Sequence, residues 1–487
     1  MAEIAHDFAP LQYGHKNRAG QPNRIAVCLL LTGIIFYVGL RLWHLGTYPL
    51  WFDEVFSVNM AKLDWTKMFA TVLADRIHPP FYYTVLKLWT AVFGFSVLSL
   101  RAASSVCSIL TLIPLGRIAK RLSLTWTTFS MVIWISAFNP FLIHYSQEVR
   151  MYALVVLLSV WSIDLYTELL TNDSIRTFTW FSAVNVLLIM THYSGVAIVS
   201  IEAAHFLYYR RSQWRRFLMA CIPPVAALGL WMTAVLHYDR GGGLKENIDW
   251  IPRPQIADIP HLYGDLGGRA NFPKASIFSL ILFLPPILLS LRTRCKNRSF
   301  DETYILLVLL TTLPALALFL MSILLKPMWE DKYLIICAFP YLLLFGTSLA
   351  DIPTRWRNTF ACCILVWISI AGLQLARRDD ARLRFDSLAS DIIALEREGA
   401  VPVLAAEIWE SDPVQFALSA KGSRVTVSVL QNTSATPRGR FLFLYRDPYS
   451  KAVPLHLIES GCIVQRLDDI HTESQSVVLA KLQCTDR

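Results

Sequence analysis

The sequence predicts a polytopic α-helical membrane protein that ends in a small α/β domain, and three observations indicate this fold class. Apolar residues make up 54% of the 487 residues and charged residues only 17%, against about 25% charged residues in soluble domains. The apolar residues are concentrated in runs of about 20, the length that a helix needs to cross a bilayer. After residue 376 these runs stop, and short β-type stretches replace them.

The net charge of +9 does not indicate nucleic-acid binding. The basic residues lie in short clusters between the apolar runs, which is typical of membrane topology. We therefore expect membrane lipids, and no nucleic acid, among the partners of this chain.

The membrane domain is predicted over residues 25–376, after a polar cytoplasmic tail at 1–24. The first apolar run is too long for a signal-peptide core and lacks a clean small-residue cleavage site, so we interpret it as a membrane helix. About eleven spans follow from this pattern, two of them forming a short hairpin. The predicted spans are 25–44, 102–118, 125–142, 150–169, 178–190, 195–209, 217–238, 272–291, 303–325, 333–350 and 359–376.

The distribution of Lys and Arg gives the predicted orientation. With the N-terminus in the cytoplasm, residues 45–100 form the first outer loop. Segment 81–93 then lies flat on the outer surface as an amphipathic helix, with Thr84, Lys87, Thr90 and Ala91 on one face. This arrangement puts four basic clusters on the cytoplasmic side, at 117–121, 210–216, 292–298 and 355–357.

The C-terminal residues 377–487 predict an extracytoplasmic α/β domain. A helix is expected at 387–398. Strands are expected at 401–405, 425–430, 441–445 and 477–482. Cys462 and Cys484 both fall in this domain, where a disulfide and two free thiols are equally compatible with the sequence.

Two adjacent carboxylates, Asp53 and Glu54, lie among aromatic residues just beyond the first predicted span. One interpretation is a helix N-cap, a position that Asp favours. The other is a general base held at the membrane interface. His78, before Pro79 and Pro80 at the end of the same loop, is a candidate ligand, phosphate contact or cap.

Further polar residues map to the same outer face, although they were not used to choose the topology. Glu148, Arg150 and Tyr152 lie at the outer end of a span, where a charged pair is costly unless it is paired or functional. His192 lies at the hairpin tip, and Lys332 lies before another span. This convergence indicates an active site at the outer interface, with arginine as a phosphate partner.

Four sequence segments occur in an order and spacing that resemble the GT-C membrane glycosyltransferases, in particular the protein O-mannosyltransferase and aminoarabinose-transferase branch. They are LWFDE at 50–54, HPPFYY at 78–83, FG at 93–94 with LR at 100–101, and YSQEVRMY at 145–152. The resemblance covers roughly residues 25–200. Lys332-Tyr333 departs from the Arg-Tyr that is frequent in the family.

The resemblance implies a GT-C membrane domain with juxtamembrane helices in the first outer loop. It also implies a hexosyl- or pentosyltransferase of the inner or plasma membrane. The donor would be a polyprenyl-phosphate sugar, and the acceptor a hydroxyl of a cell-envelope glycan, lipid or protein. Asp53 would be the general base of an inverting transfer, with Glu54 orienting the base or the acceptor. The implied donor-phosphate or substrate contacts are His78, Glu148, Arg150, Tyr152, His192 and Lys332.

The sequence lacks a glycine-rich nucleotide loop, which agrees with a lipid-phosphate donor. It also lacks a clear Asp-x-Asp in the second outer loop, so we assign no metal-binding residues. A divalent metal cofactor stays open, because some GT-C relatives bind one and others do not. A transporter or flippase of a lipid-linked envelope precursor is the alternative, and a non-catalytic scaffold is a third interpretation. A transporter favours charges at mid-span, where Glu202 is the one exception to the charges gathered at a face.

Overall fold

The computed structural model describes residues 24–172, 174–238, 251–269, 274–375, 383–399, 401–430, 439–447, 457–459, 461–471 and 476–484. The predicted cytoplasmic tail thus lies outside the described residues, except for Arg24. Up to residue 375 the described chain is helical. These helices share one large apolar core.

The described residues of the N-terminal half form eleven α-helices. They are α1 (Arg24–Leu42), α2 (Phe52–Lys62), α3 (Trp65–Asp75), α4 (Phe81–Phe93), α5 (Val97–Leu110), α6 (Leu112–Arg121), α7 (Trp126–Phe138), α8 (Pro140–Ser146), α9 (Tyr152–Leu169), α10 (Ile175–Thr191) and α11 (Gly195–Tyr209).

The remaining helices continue the bundle and then enter the C-terminal domain. They are α12 (Trp214–His237), α13 (Asp258–Leu266), α14 (Ala275–Asn297), α15 (Glu302–Leu324), α16 (Ala338–Ala350), α17 (Thr354–Leu375), α18 (Phe385–Glu398) and α19 (Ile408–Ala420). A 3₁₀ helix at Asp331–Cys337 leads directly into α16.

All eleven predicted spans overlap described helices, but fewer helices meet the length and hydropathy of a full crossing. Seven do so in the described chain, and the bent pair α7–α8 raises the number to eight. The predicted hairpin is present as α10 and α11, which are apolar but shorter than a usual span. The count of eleven therefore stays a prediction.

Helix α4 is amphipathic as predicted, and its polar face points into the protein. Thr90 is buried, and the Lys87 ammonium donates to the carbonyl groups of Ala61 and Leu63 at the end of α2. The outward face carries the exposed apolar residues Leu88 and Val92. The polar groups of this helix thus pair with backbone carbonyls inside the protein.

The C-terminal domain contains one five-stranded sheet with α18 and α19 packed on it. The strands are β1 (Val403–Ala405), β2 (Val427–Val429), β3 (Gly439–Asp447), β4 (Cys462–His471) and β5 (Ser476–Cys484).

The strand order is β2-β1-β3-β5-β4, with β1 parallel to both of its neighbours and β5 antiparallel to β3 and β4. Cys462 pairs with Cys484 across β4 and β5, and the two form a disulfide with Cα atoms 4.1 Å apart. Of the two alternatives for these cysteines, the structure has the disulfide.

Candidate active site

Asp53 lies in the first turn of α2, and its side chain is 20% exposed. The helix begins at Phe52 with Trp51 as the N-cap, so Asp53 is not the cap that one interpretation assigned to it. Its carboxylate Oδ2 lies 4.0 Å from Nε of Arg150. Its backbone carbonyl accepts hydrogen bonds from Arg150 at 3.3 Å and from the Ser57 hydroxyl at 3.1 Å. The carboxylate is therefore partly accessible while its backbone is fixed.

Glu54 points away from this opening and forms a buried ion pair with Arg101. The guanidinium donates from Nη2 to Oε2 at 2.7 Å and from Nε to Oε1 at 3.0 Å, and both side chains are only 1% exposed. The Val149 amide also donates to Glu54 at 3.0 Å. Because Arg101 further donates to three carbonyl groups of residues 45–49, the pair ties α2, α5 and two loops together. The Glu54 carboxylate is thus engaged inside the protein by Arg101 and the Val149 amide.

Asp75, His78 and Arg150 form a hydrogen-bonded chain that reaches Asp53. Arg150 Nη2 donates to His78 Nε2 at 3.2 Å, because a guanidinium has no acceptor. His78 then carries its proton on Nδ1 and donates it to Asp75 Oδ2 at 3.0 Å. Burial lowers the pKa of His78, although the hydrogen bond to Asp75 opposes this effect. His78 is therefore a neutral acceptor that orients Arg150.

Glu148 is buried, and its two carboxylate oxygens differ in their hydrogen bonding. Oε1 accepts a hydrogen bond from the Trp51 indole at 2.9 Å, whereas Oε2 has no hydrogen-bond partner among the described residues. Burial, with the negative charges of Glu54 and Asp53, raises the pKa of Glu148 to about 7. At neutral pH this group exists in both protonation states, so it can donate or accept a hydrogen bond toward a ligand.

The His192 ring lies among three other rings of the site. The His192 ring lies 6.3 Å from that of His78, 6.2 Å from that of Tyr152 and 5.4 Å from that of Tyr333, between centroids. The Ser194 amide donates to Nδ1 of His192, so the proton of the neutral ring is on Nε2. Burial, with the positive charges nearby, lowers the pKa of His192 to about 3.

Lys332 supplies a second cation beside Arg150. Its Nζ lies 4.0 Å from Oε2 of Glu330, and its charge acts on both Glu148 and His192. Burial raises the pKa of Glu330, and the charge of Asp53 adds to this effect. The site thus combines a partly exposed carboxylate with two cations.

The comparisons with known proteins concern the fold. No family model matches the sequence, and no curated protein matches it significantly. The structure is similar to that of ArnT from Cupriavidus metallidurans in the apo state, with a TM-score of 0.56 and 12% identity over 93% of this chain and 97% of that one.

Two further solved structures match this chain. ArnT bound to undecaprenyl phosphate gives a TM-score of 0.53 and 11% identity over 94% of this chain and 97% of that one. Arabinofuranosyltransferase AftD from mycobacteria gives 0.54 and 14% identity over 96% of this chain and 40% of that one. ArnT and AftD are GT-C glycosyltransferases.

This chain has the GT-C fold.

Within the GT-C fold, the predicted site residues come together as neighbours. Asp53, Arg150, His78, His192 and Tyr152 are linked by the contacts described above, and Glu54 adjoins them through the Val149 amide. Glu148 and Lys332 lie close enough for their charges to interact with this group. In the described ranges, no group of three or more His, Cys, Asp or Glu side chains is arranged to hold a metal ion.

Sequence reasoning missed the role of Asp75 and the partners of Glu54. Asp75 precedes His78 by three residues, a spacing that brings an acid and a histidine together around a helix end. That signal was available in the sequence. Arg101 was noticed only as part of a motif, because nothing in the sequence indicates which of two adjacent carboxylates it binds.

Proposed function

We propose that this chain is a glycosyltransferase that moves a sugar from a polyprenyl-phosphate donor to a hydroxyl of a cell-envelope glycan, lipid or protein. The transfer takes place at the outer face of the membrane, with inversion at the anomeric carbon and Asp53 as the general base. The observation that carries the proposal is a partly exposed Asp53 whose carboxylate lies 4.0 Å from Arg150, in a GT-C fold whose site also contains the cation Lys332.

The position of Asp53 supports its proposed role as the general base. A general base must accept a hydrogen bond from the attacking group, and within the described part of the chain Asp53 Oδ2 has only the long 4.0 Å contact with Arg150. The acceptor hydroxyl gives its proton to Asp53 while its oxygen bonds to the anomeric carbon. The bond between that carbon and the phosphate oxygen breaks, and the lipid phosphate leaves with the electron pair.

The leaving phosphate requires cationic partners in a site that contains little water, where electrostatic stabilisation is strongest. Arg150 has a buried Nε with no hydrogen-bond partner in the described chain, and Lys332 lies close enough to His192 for its charge to act on that ring. His192 presents an Nε2–H donor. The lipid-phosphate class is further supported by the similarity to ArnT, which has been seen with undecaprenyl phosphate.

Two observations support the outer face as the location. The C-terminal domain contacts α2 through Phe52 and Trp409, so that domain and Asp53 lie on the same side of the membrane. The domain contains the disulfide between Cys462 and Cys484, a bond that persists in oxidising, non-cytoplasmic compartments.

The experiment that tests this function compares surface glycans by mass spectrometry. The compared strains carry the wild-type gene, a deletion, and the deletion complemented with Asp53→Asn. We expect one residue mass to be lost in the deletion, restored by the wild type and not restored by Asp53→Asn. Asp64→Asn is the matched control, because Asp64 lies exposed in the same loop, caps α3 with its side chain, and asparagine caps equally well.

Binding of undecaprenyl phosphate to the purified protein in nanodiscs, measured by native mass spectrometry, separates binding from chemistry. Asp53→Asn is expected to bind this lipid like the wild type, whereas Arg150→Gln binds it more weakly. Full glycan restoration by Asp53→Asn would refute the base assignment and favour a flippase or a scaffold. Glycans that the deletion leaves unchanged would refute the function itself.

A further inference from the structure

The C-terminal domain packs directly on the helix that carries Asp53. The rings of Phe52 in α2 and Trp409 in α19 lie 3.7 Å apart between centroids. On the domain side, the Arg446 guanidinium lies 5.5 Å from the Trp409 ring. Trp409 therefore contacts an aromatic ring of the membrane domain and a cation of its own domain.

Trp409 is held firmly by the domain to which it belongs. Its neighbour Glu410 is fully buried and accepts a hydrogen bond from the Glu407 amide at 3.0 Å, which closes the first turn of α19. Oε1 of Glu410 lies 3.8 Å from Nε of Arg446, on strand β3. The Trp409 indole thus lies in the first turn of α19, and this turn contacts the sheet through Glu410 and Arg446.

The contact continues along both helices. Asn59 Nδ2 lies 3.5 Å from Asp412 Oδ2, and the Lys62 ammonium lies 5.4 Å from the Phe416 ring. Residues 409, 412 and 416 follow the i, i+3, i+7 spacing of one helical face. The two helices therefore meet along a common face and not at a single point.

Asp53 lies between two anchors that belong to different parts of the molecule. The preceding residue, Phe52, contacts the C-terminal domain, and the following residue, Glu54, is bound by Arg101 of the membrane domain. We propose that Trp409 is a positioning residue for Asp53, which makes the C-terminal domain part of the catalytic unit. This inference rests on the proposed function, because it assigns Asp53 the role of base.

The physical reason is the shortness of α2. The helix has 11 residues, and helices below about 12–15 residues are marginal unless tertiary contacts hold them. Its first turn carries the base, and a displacement of about 1 Å at a reacting group can lower a rate about 100-fold. Loss of the Trp409 contact should therefore lower the turnover rate strongly and weaken substrate binding only a little.

The test uses full-length protein in membranes, with membranes of the deletion strain as the source of donor and acceptor. Trp409→Ala is expected to lower the transfer rate at saturating acceptor membranes by about 10- to 100-fold. The half-saturating amount of those membranes is expected to change little. Trp409→Phe keeps a ring against Phe52 and is expected to restore most of the rate. Ile408→Ala is the matched control, because Ile408 starts the same helix and is 51% exposed.

Hydrogen exchange measured by mass spectrometry separates this inference from the proposed function. In Trp409→Ala, amides of 52–62 are expected to exchange faster than in the wild type, while those of 152–169 stay unchanged. If this pattern appears but the wild type transfers no sugar, the coupling holds and the proposed function fails. If exchange and saturating rate match those of Ile408→Ala, the positioning role is wrong.

A second variant covers the case in which Trp409→Ala does not accumulate. Phe52→Leu removes the same ring pair from the side of the membrane domain, and we expect the same loss of rate and the same faster exchange in α2. Wild-type values in Phe52→Leu would overturn the inference.

Discussion

Glu148 should make the stability of this protein depend on pH, and replacing it with glutamine should remove that dependence. Burial raises the pKa of Glu148 from its ordinary value of 4.5 to about 7. At roughly 1.4 kcal/mol for each pH unit, this rise corresponds to about 3 kcal/mol. The side chain is almost fully buried, so solvent does not screen this effect strongly.

The sign follows from proton binding. Between about pH 4.5 and pH 7, the folded protein keeps the proton on Glu148 while the unfolded chain loses it. Raising the pH through this window therefore favours unfolding. The stabilising contribution is fully present below about pH 4.5 and is lost above about pH 7. Glu148→Gln carries no titrating proton, so its stability should not fall through this step.

The assay is thermal unfolding in detergent between pH 4.5 and pH 8, recorded for the wild type and Glu148→Gln. Unfolding entropy of about 2 cal/mol/K per residue gives about 1 kcal/mol/K for 487 residues. The Tm difference between the two proteins should therefore change by about 3 °C across the window. Glu396→Gln, an exposed change in α18, is the control and should follow the wild type. Parallel pH curves for Glu148→Gln and the wild type would refute the reasoning.

Three further predictions concern other buried groups. Arg101→Met and Glu54→Leu should each lower stability by about 3–5 kcal/mol because each leaves one buried charge unpaired, whereas the double variant should be closer to the wild type in thermal unfolding. Asp75→Asn should lower sugar transfer by about 10- to 100-fold with little change in undecaprenyl phosphate binding, because His78 loses its charged hydrogen-bond partner. Glu202 is fully buried with no ion pair in the described chain, so it should be protonated. Dicyclohexylcarbodiimide should then label it, with no adduct at this position in Glu202→Gln by peptide mass spectrometry.

The sequence was sufficient to predict which residues gather at the site. Membrane topology places the ends of helices on one face or the other, and polar residues at those ends are few enough to be recognised. Asp53, Arg150 and His192 are far apart in sequence, yet each lies at a helix end on the predicted outer side. One topological assumption therefore indicated their neighbourhood.

What the sequence could not provide is the direction in which each side chain points. Asp53 and Glu54 are adjacent, but one faces the opening and the other is buried against Arg101, a distinction that depends on packing and not on residue type. In α4, the sequence predicted an amphipathic helix, but it could not show that Thr90 and Lys87 face the protein interior. Strand β4 and helix α19 were missed because polar residues interrupt their apolar patterns.

The ion pairs of the described chain differ in how closely their charges approach, and the difference bears on the proposed function. Pairs at the predicted cytoplasmic end are closed into hydrogen bonds of 2.6–2.7 Å. They join Arg210 to Glu302 and Arg294 to Asp351. The two cations proposed to hold the phosphate instead lie 4.0 Å from their carboxylates, Arg150 from Asp53 and Lys332 from Glu330. A structural ion pair gains most when it is closed, because it must offset the desolvation of both charges. Pairs that stay open in a buried site are better suited to admit a phosphate and a hydroxyl between their charges, which supports the proposed role of Arg150 and Lys332 at this site.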